Sequence, residues 1–174
     1  MLSGYPGSGK TVLARRLVSD NPSFVRLSVD DVRAMFYGTS EPSFDEEFVY
    51  MCLTSLRDLA LRKGHNVVLD CTAPQNSTRN LLLGTNVDDV VRLLVVMIVN
   101  KAELDRRNRE RHLLGASEAW DKAWQEPSTR MPVLKFRNED QTSFDTSYYI
   151  LSELLKSNVS PYRKRFMEHI FPRT

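Results

Sequence analysis

The stretch Gly4-Tyr5-Pro6-Gly7-Ser8-Gly9-Lys10-Thr11 satisfies every fixed position of the pattern G-x-x-x-x-G-K-[ST]. Glycines let such a loop turn successive backbone N–H groups inward around anionic oxygens. The loop must also open a helix, whose N-terminal partial charge adds to the attraction, and here Val12, Leu13, Ala14, Leu17 and Val18 supply one. Gly4, Gly7, Ser8, Gly9, Lys10 and Thr11 are therefore the candidate nucleotide-binding residues. Lys10 is placed for the β- and γ-phosphates, and the Thr11 hydroxyl is the candidate metal ligand, for Mg²⁺. The expected cofactors are ATP, or another nucleoside triphosphate, and Mg²⁺.

A phosphate loop follows a buried strand, and strands run about 5–6 residues. Only Met1-Leu2-Ser3 precede Gly4, so the pattern predicts a strand stub in the middle of a sheet and a chain that starts late. Downstream, apolar runs predict strands at residues 24–28, 66–70 and within 90–99, with a weaker one at 131–136. Helical spacing predicts helices at 10–19, around 32–36, and from a Ser43-x-x-Glu46 capping box to Gly64. Further helices are expected at 75–83, 101–114, 117–124, 144–156 and 161–170. The alternation implies one α/β domain over residues 1–174, a parallel sheet with helices on both faces. Ligands then gather at the carboxyl ends of the strands. The phosphate loop, Asp30-Asp31, residues 70–72 and residues 100–111 all fall there.

Together these four segments hold the parts of a phosphoryl-transfer site. Asp30 or Asp31 can take a proton from an acceptor hydroxyl, while the other caps the following helix. Asp70 can fix the acceptor, hold a water on Mg²⁺, or simply end its strand in solvent. Arg107 and Arg111 stand four apart, on one helix face, and predict a helical arginine lid over about residues 101–115. Glu103, Asp105 and Glu110 interleave, which accounts for Arg106 and Arg109 as surface pairs. Trp120 and Trp124, also four apart, read as a packing face.

Composition narrows the partners. With 24 basic against 22 acidic residues, any nucleic-acid surface must be local. Cys52 and Cys71 make neither a disulfide framework nor a zinc pattern, so no disulfide-linked partner is expected and a reducing cytoplasm suits them. The most apolar run, residues 90–99, is too short to span a bilayer and carries Arg92, so no membrane partner is expected.

These segments resemble the kinase domain of the phage-type polynucleotide 5′-kinases, P-loop NTPases with an adenylate-kinase-like fold. That family has Gly-x-Pro-Gly-Ser-Gly-Lys-[Ser/Thr], a strand, then Asp-Asp-x-x-Arg, here Asp30-Asp31-Val32-Arg33. The resemblance implies that Asp30 is the general base and that Arg33 contacts the acceptor's phosphate. Asp70 and Thr72, in Val-Val-Leu-Asp-Cys-Thr, fall on the acceptor-binding side. The family's lid motif Arg-Asn-x-x-Arg is matched by Arg107-Asn108-Arg109-Glu110-Arg111, which gives Arg107 and Arg111 the catalytic lid roles. The implied reaction moves the γ-phosphate of ATP to a nucleic-acid 5′-hydroxyl end, RNA or DNA. The likeness runs from about residue 3 to residue 114, and neither Asp-x-Asp-Gly-Thr nor Lys-x-Asp-Gly occurs, so a kinase alone, or a kinase piece of something longer, is expected. Zeta-toxin-like and gluconate-type small-molecule kinases share the loop, the strand-end Asp and the lid, and a nucleotide-dependent binding module is the third reading.

Overall fold

The computed structural model describes residues 1–42, 44–113, 116–128 and 132–157. In chain order these form β1 (Leu2–Ser3), α1 (Lys10–Asp20), β2 (Phe24–Ser28), α2 (Val29–Tyr37) and α3 (Glu46–Arg62). There follow β3 (Asn66–Asp70), α4 (Asn76–Leu83), β4 (Leu94–Ile98) and α5 (Lys101–Glu110). The last elements are α6 (Ala116–Ala123), β5 (Val133–Arg137) and α7 (Gln141–Ser157). The helix expected at 161–170 lies outside the described residues, as do Ser43, Leu114, Gly115 and Met131.

The strands form one parallel sheet in the order β2-β3-β1-β4-β5. Successive side chains of a strand point to opposite faces, and each face has its own core. On one, Leu69, Leu94 and Val96 pack with Val32 of α2, Val49 and Leu53 of α3 and Leu82 of α4. On the other, Leu2, Val68, Val95 and Met97 pack with Leu13 and Leu17 of α1 and Phe144 and Leu151 of α7. The expected stub is real and central: Leu2 pairs with both Asp70 and Val95, and Ser3 with Val96. The pairing reaches back to Met1, whose carbonyl accepts from Val95 N at 2.8 Å. Leu2 is 1% exposed, so its truncation to Ala should cost on the order of 2–5 kcal/mol. The chain leaves β1 for β2 and β3 on one side and later β4 and β5 on the other. That reversal opens a crevice at the carboxyl ends, where the phosphate loop sits.

Several element ends differ from the sequence expectation. Neither Asp30 nor Asp31 caps α2, because Ser28 does so, its Oγ accepting from Asp31 N at 3.4 Å. Both carboxylates thus lie in the first turn and are released for other partners. Asp45 caps α3 by accepting from Phe48 N at 2.9 Å. Helix α5 ends at Glu110, leaving Arg111 as its C-cap residue. The helix expected from residue 144 already begins at Gln141, because Asp140 Oδ1 accepts from Ser143 N at 2.7 Å. No helix among the described residues is long and apolar enough to cross a membrane. Cys52 and Cys71 are free thiols in the α2–α4 core, and burial pushes Cys71 up to about 12.

Candidate active site

The phosphate loop hangs between the β3–α4 segment and two asparagines. Gly4 N donates to Thr72 O at 3.2 Å, and Ser3 Oγ to Thr72 O and Ala73 O at 3.0 Å each. Thr72 therefore supports the loop through its backbone carbonyl. At Gly7 (φ 81°) a Cβ would fall 2.6 Å from Asn108 Oδ1, and at Gly9 (φ 93°) it would fall 2.2 Å from Asn138 Nδ2. Both positions need glycine for conformation and for space. Gly9 is also the N-cap of α1 and supplies no side-chain cap, so the first-turn N–H groups face the loop's hollow. Lys10 Nζ lies inside the loop, donating to Gly4 O and Tyr5 O at 2.8 Å. Burial lowers its pKa to about 8, with Asp70, Cys71 and Asp30 opposing. Thr11 is exposed on the first turn of α1.

Across from Lys10 stand three carboxylates, Asp70, Asp31 and Asp30. Asp70, 5% exposed at the end of β3, accepts on Oδ2 from Arg26 Nε at 2.9 Å and Nη2 at 2.8 Å. The third nitrogen of that guanidinium, Nη1, donates to Asp31. Asp30 keeps a side chain 66% exposed and accepts from Arg33 Nη1 at 2.9 Å. Desolvation raises the Asp30 pKa, Arg33 and Lys10 oppose this, and Asp70 and Asp31 add to it. Arg33 is not idle: Glu46, at the start of α3, holds it by two parallel bonds of 3.0 and 2.6 Å.

Helix α5 lies against the loop from the opposite side. Asn100 caps it by accepting from Glu103 N at 2.9 Å. Glu103 in turn accepts from Arg106 Nη2 and Arg107 Nε, both at 2.7 Å, and these bonds pull its carboxyl down to about 2. So held, Arg107 reaches Asn138 O at 2.9 Å and Gly7 O at 3.4 Å. Asn138 closes the circuit, its Nδ2 donating to Ser8 O at 2.9 Å. Arg111 borders the same groove of about 650 Å³ beside Gly7 and Gly9. Arg106 does too, while pairing with Glu103 and Glu110 as the interleaved charges predict, and Arg109 is exposed away from it. Trp124 packs as expected, stacked on Tyr5 at 5.5 Å with the Arg79 guanidinium over its ring at 4.4 Å. A second hollow of about 950 Å³ opens at the amino ends of the strands. Its Arg57 is engaged with Asp58 and the Leu81 and Leu82 carbonyls, a cap for α4 and not a ligand site.

Arg26 and Asn138 border the loop and its carboxylates without having been singled out from sequence, while Glu46, Glu103 and Asn108 stand out there only as a cap residue, a surface charge and a motif position. Asn138 follows β5 directly, so the carboxyl-end rule that selected Asp70 also selects it. Arg26 is a charged residue in the middle of a strand with apolar neighbours, a signal in itself.

Residues 1–134 match the AAA_33 family, described as an AAA domain. The chain belongs to that family. Among solved structures, this AAA_33 chain superposes on a sugar kinase from Janibacter sp. HTCC2649 with TM-score 0.65 at 13% identity, covering 92% of this chain and 94% of that one. An APS kinase from Mycobacterium tuberculosis, solved with AMPPNP and APS, gives 0.64 at 18% identity, covering 88% and 94%. These two share a P-loop kinase-like fold with the chain. The Pnkp1/Rnl/Hen1 complex contains a chain that is 29% identical with TM-score 0.56, over 61% of this chain and 37% of that one. Human NEDD4-binding protein 2 is 49% identical over 49 residues, 28% of this chain and 3% of that protein. The AAA_33 chain thus spans a small part of the curated relative it matches.

Proposed function

We propose that this AAA_33 domain transfers the γ-phosphate of ATP to a hydroxyl group, and that the acceptor is a 5′-hydroxyl end of RNA or DNA. The observation that carries the reading is an exposed carboxylate, Asp30, standing within electrostatic reach of a Lys10 ammonium already inside a phosphate loop. The loop's N–H groups and Lys10 hold the triphosphate, and Arg107 and Arg111, which border the groove beside Gly7 and Gly9, supply cations for charge on the transferring group. Asp30 takes the proton from the attacking hydroxyl. Among the described residues no cluster of three or more His, Cys, Asp or Glu side chains could hold a metal by itself, so the exposed Thr11 hydroxyl would offer one oxygen to a hard cation held chiefly by the phosphates. Mg²⁺, when bound, supplies neutralisation of the phosphate charge.

The polynucleotide acceptor is supported by the Asp30–Arg33 spacing and by likeness to a chain of the Pnkp1/Rnl/Hen1 complex. One observation favours binding of a small acceptor over a nucleotide: Glu46 and Asp30 already occupy Arg33, which a nucleotide phosphate must displace, although the same occupancy weakens Asp30 as a base for an acceptor that leaves it in place. Acceptor competition tests both. The purified chain, with labelled ATP and Mg²⁺, is offered a 5′-hydroxyl oligonucleotide alongside gluconate, shikimate and nucleosides. Labelling of the oligonucleotide end is expected. Labelling of a small molecule alone would transfer the function to that class, and ATP binding without any transfer would make the domain a nucleotide-dependent binding module.

A further inference from the structure

Three carboxylates crowd the mouth of the acceptor side, Asp30 and Asp31 on the first turn of α2 and Asp70 at the end of β3. Like charges crowded together repel and swing apart unless a cation sits between them. The sheet supplies that cation from an unusual place. Arg26 pairs in register with Val68, two residues before Asp70, so its side chain runs diagonally along the sheet toward the carboxyl ends. The side chain is 18% exposed, and the Asp70 side chain only 4%. Both bonds from Arg26 to Asp70 land on one oxygen, Oδ2, which anchors that oxygen and leaves Oδ1 for a ligand. The remaining nitrogen draws Asp31 away from its neighbour Asp30.

We infer that Arg26 is a positioning residue of the acceptor side: it aims Asp70 at the acceptor and withdraws Asp31, leaving Asp30 as the working base. The inference rests on the phosphotransfer reading above and deepens it by assigning the three acids separate tasks. A guanidinium suits the role, since its planar fork makes three directed bonds to two carboxylates, which an ammonium cannot reproduce. Once bonded within the cleft and nine-tenths hidden on Asp70, the pair holds its geometry better than an exposed ion pair would.

A double-mutant cycle tests it. Arg26→Gln, Asp70→Asn and the double variant are compared with the wild-type chain for turnover of the preferred acceptor, apparent KM for ATP, and melting temperature. Arg26→Gln should lower turnover by about 10–100-fold, within the range for misplaced catalytic geometry, with KM for ATP nearly unchanged. In the Asp70→Asn background the same change should add little, because Arg26 acts through Asp70. Addition of millimolar guanidinium to Arg26→Gln should recover part of the turnover, a readout that a merely structural role would not give. Arg26→Lys, which keeps the charge and one bond, should lie between the two and serves where Arg26→Gln fails to fold. Fully additive losses, or wild-type turnover in a folded Arg26 variant, would overturn the assignment while leaving phosphotransfer intact. A wild-type chain that labels no acceptor at all removes the reading and this inference with it.

Discussion

The close approach of Asn138 to Gly9 joins the end of β5 to the start of α1 at the phosphate loop, and it can be taken apart quantitatively. Gly9→Ala forces a non-glycine residue to φ 93°, ψ 15°. Left-handed backbone costs an L-residue about 1–2 kcal/mol. The new Cβ would also sit 2.2 Å from Asn138 Nδ2 and 3.4 Å from its Cγ, so the amide must move. Moving it breaks the 2.9 Å bond to Ser8 O inside a buried site, worth roughly 1–2 kcal/mol once the stranded group is counted. The sum is about 3 kcal/mol, which for a chain of this size lowers the melting temperature by roughly 6–12 °C.

Asn138→Ala separates the two contributions. It removes the atom in the way and the bond together, so Gly9→Ala in that background should cost only the backbone share, about 1–2 kcal/mol. The coupling between the positions is then on the order of 1–2 kcal/mol. Urea denaturation of the four proteins, in the absence of nucleotide, measures it. Equal costs for Gly9→Ala in both backgrounds would refute the packing argument and leave strain alone as the reason for glycine.

The Lys10 pKa of about 8, held down by burial, makes nucleotide binding pH-dependent. ATP affinity should fall as pH rises past about 8, and Lys10→Met should both weaken binding and flatten that slope in a fluorescent-nucleotide titration. Because the folded pKa lies below the ordinary 10.5, the same group disfavours the fold up to about pH 8 and ceases to between 8 and 10.5. Its contribution to stability without nucleotide thus rises with pH across that window. Asp30→Asn should lower turnover on the order of 10²-fold with ATP binding preserved, and Asp31→Asn far less; the reverse order in steady-state assays would exchange their roles. Arg107→Ala, which loses the bonds to Asn138 and the phosphate loop, should reduce turnover, whereas exposed Arg109→Ala should match wild type; equal losses would indicate a diffuse basic patch. Glu46→Gln should loosen Arg33 and lower the KM of a nucleoside 3′-phosphate without changing that of a bare nucleoside, and an unchanged ratio of the two would remove Arg33 from acceptor binding.

What could be read from the sequence was whatever the chain encodes locally. The phosphate loop is eight consecutive residues, and the alternation of apolar runs with helical spacing is enough for a parallel sheet flanked by helices. Asp70 was visible as the last residue of a strand. Its partner was not, because Arg26 and Asp70 stand 44 residues apart and meet only through the register of β2 with β3. Asn138 reaches Ser8 across 130 residues, and nothing near either position announces the other. Helix ends went astray for a smaller reason. Ser28 and Asp45 each sit beside another residue able to cap, and which oxygen takes the bond depends on where the strand or loop delivers the chain.

The acceptor is least legible because its recognition is a competition and not a vacancy. Asp30, Asp31, Glu46 and Asp70 face Arg26 and Arg33, so the acceptor side is negative before any substrate arrives. A neutral hydroxyl compound entering there would leave Arg33 on Asp30, and a carboxylate bonded to a guanidinium is a poorer base. A phosphate beside the reacting hydroxyl carries more charge than either carboxylate and presents oxygens suited to the same fork. On the proposed function, it draws Arg33 from Asp30 as it binds, and the released carboxylate becomes able to accept the proton. Charge on the acceptor would then act on the chemical step as well as on binding. On that proposal, the coupling of recognition to proton transfer would arise because two bonds, 2.9 Å to Asp30 and 2.6 Å to Glu46, share one arginine.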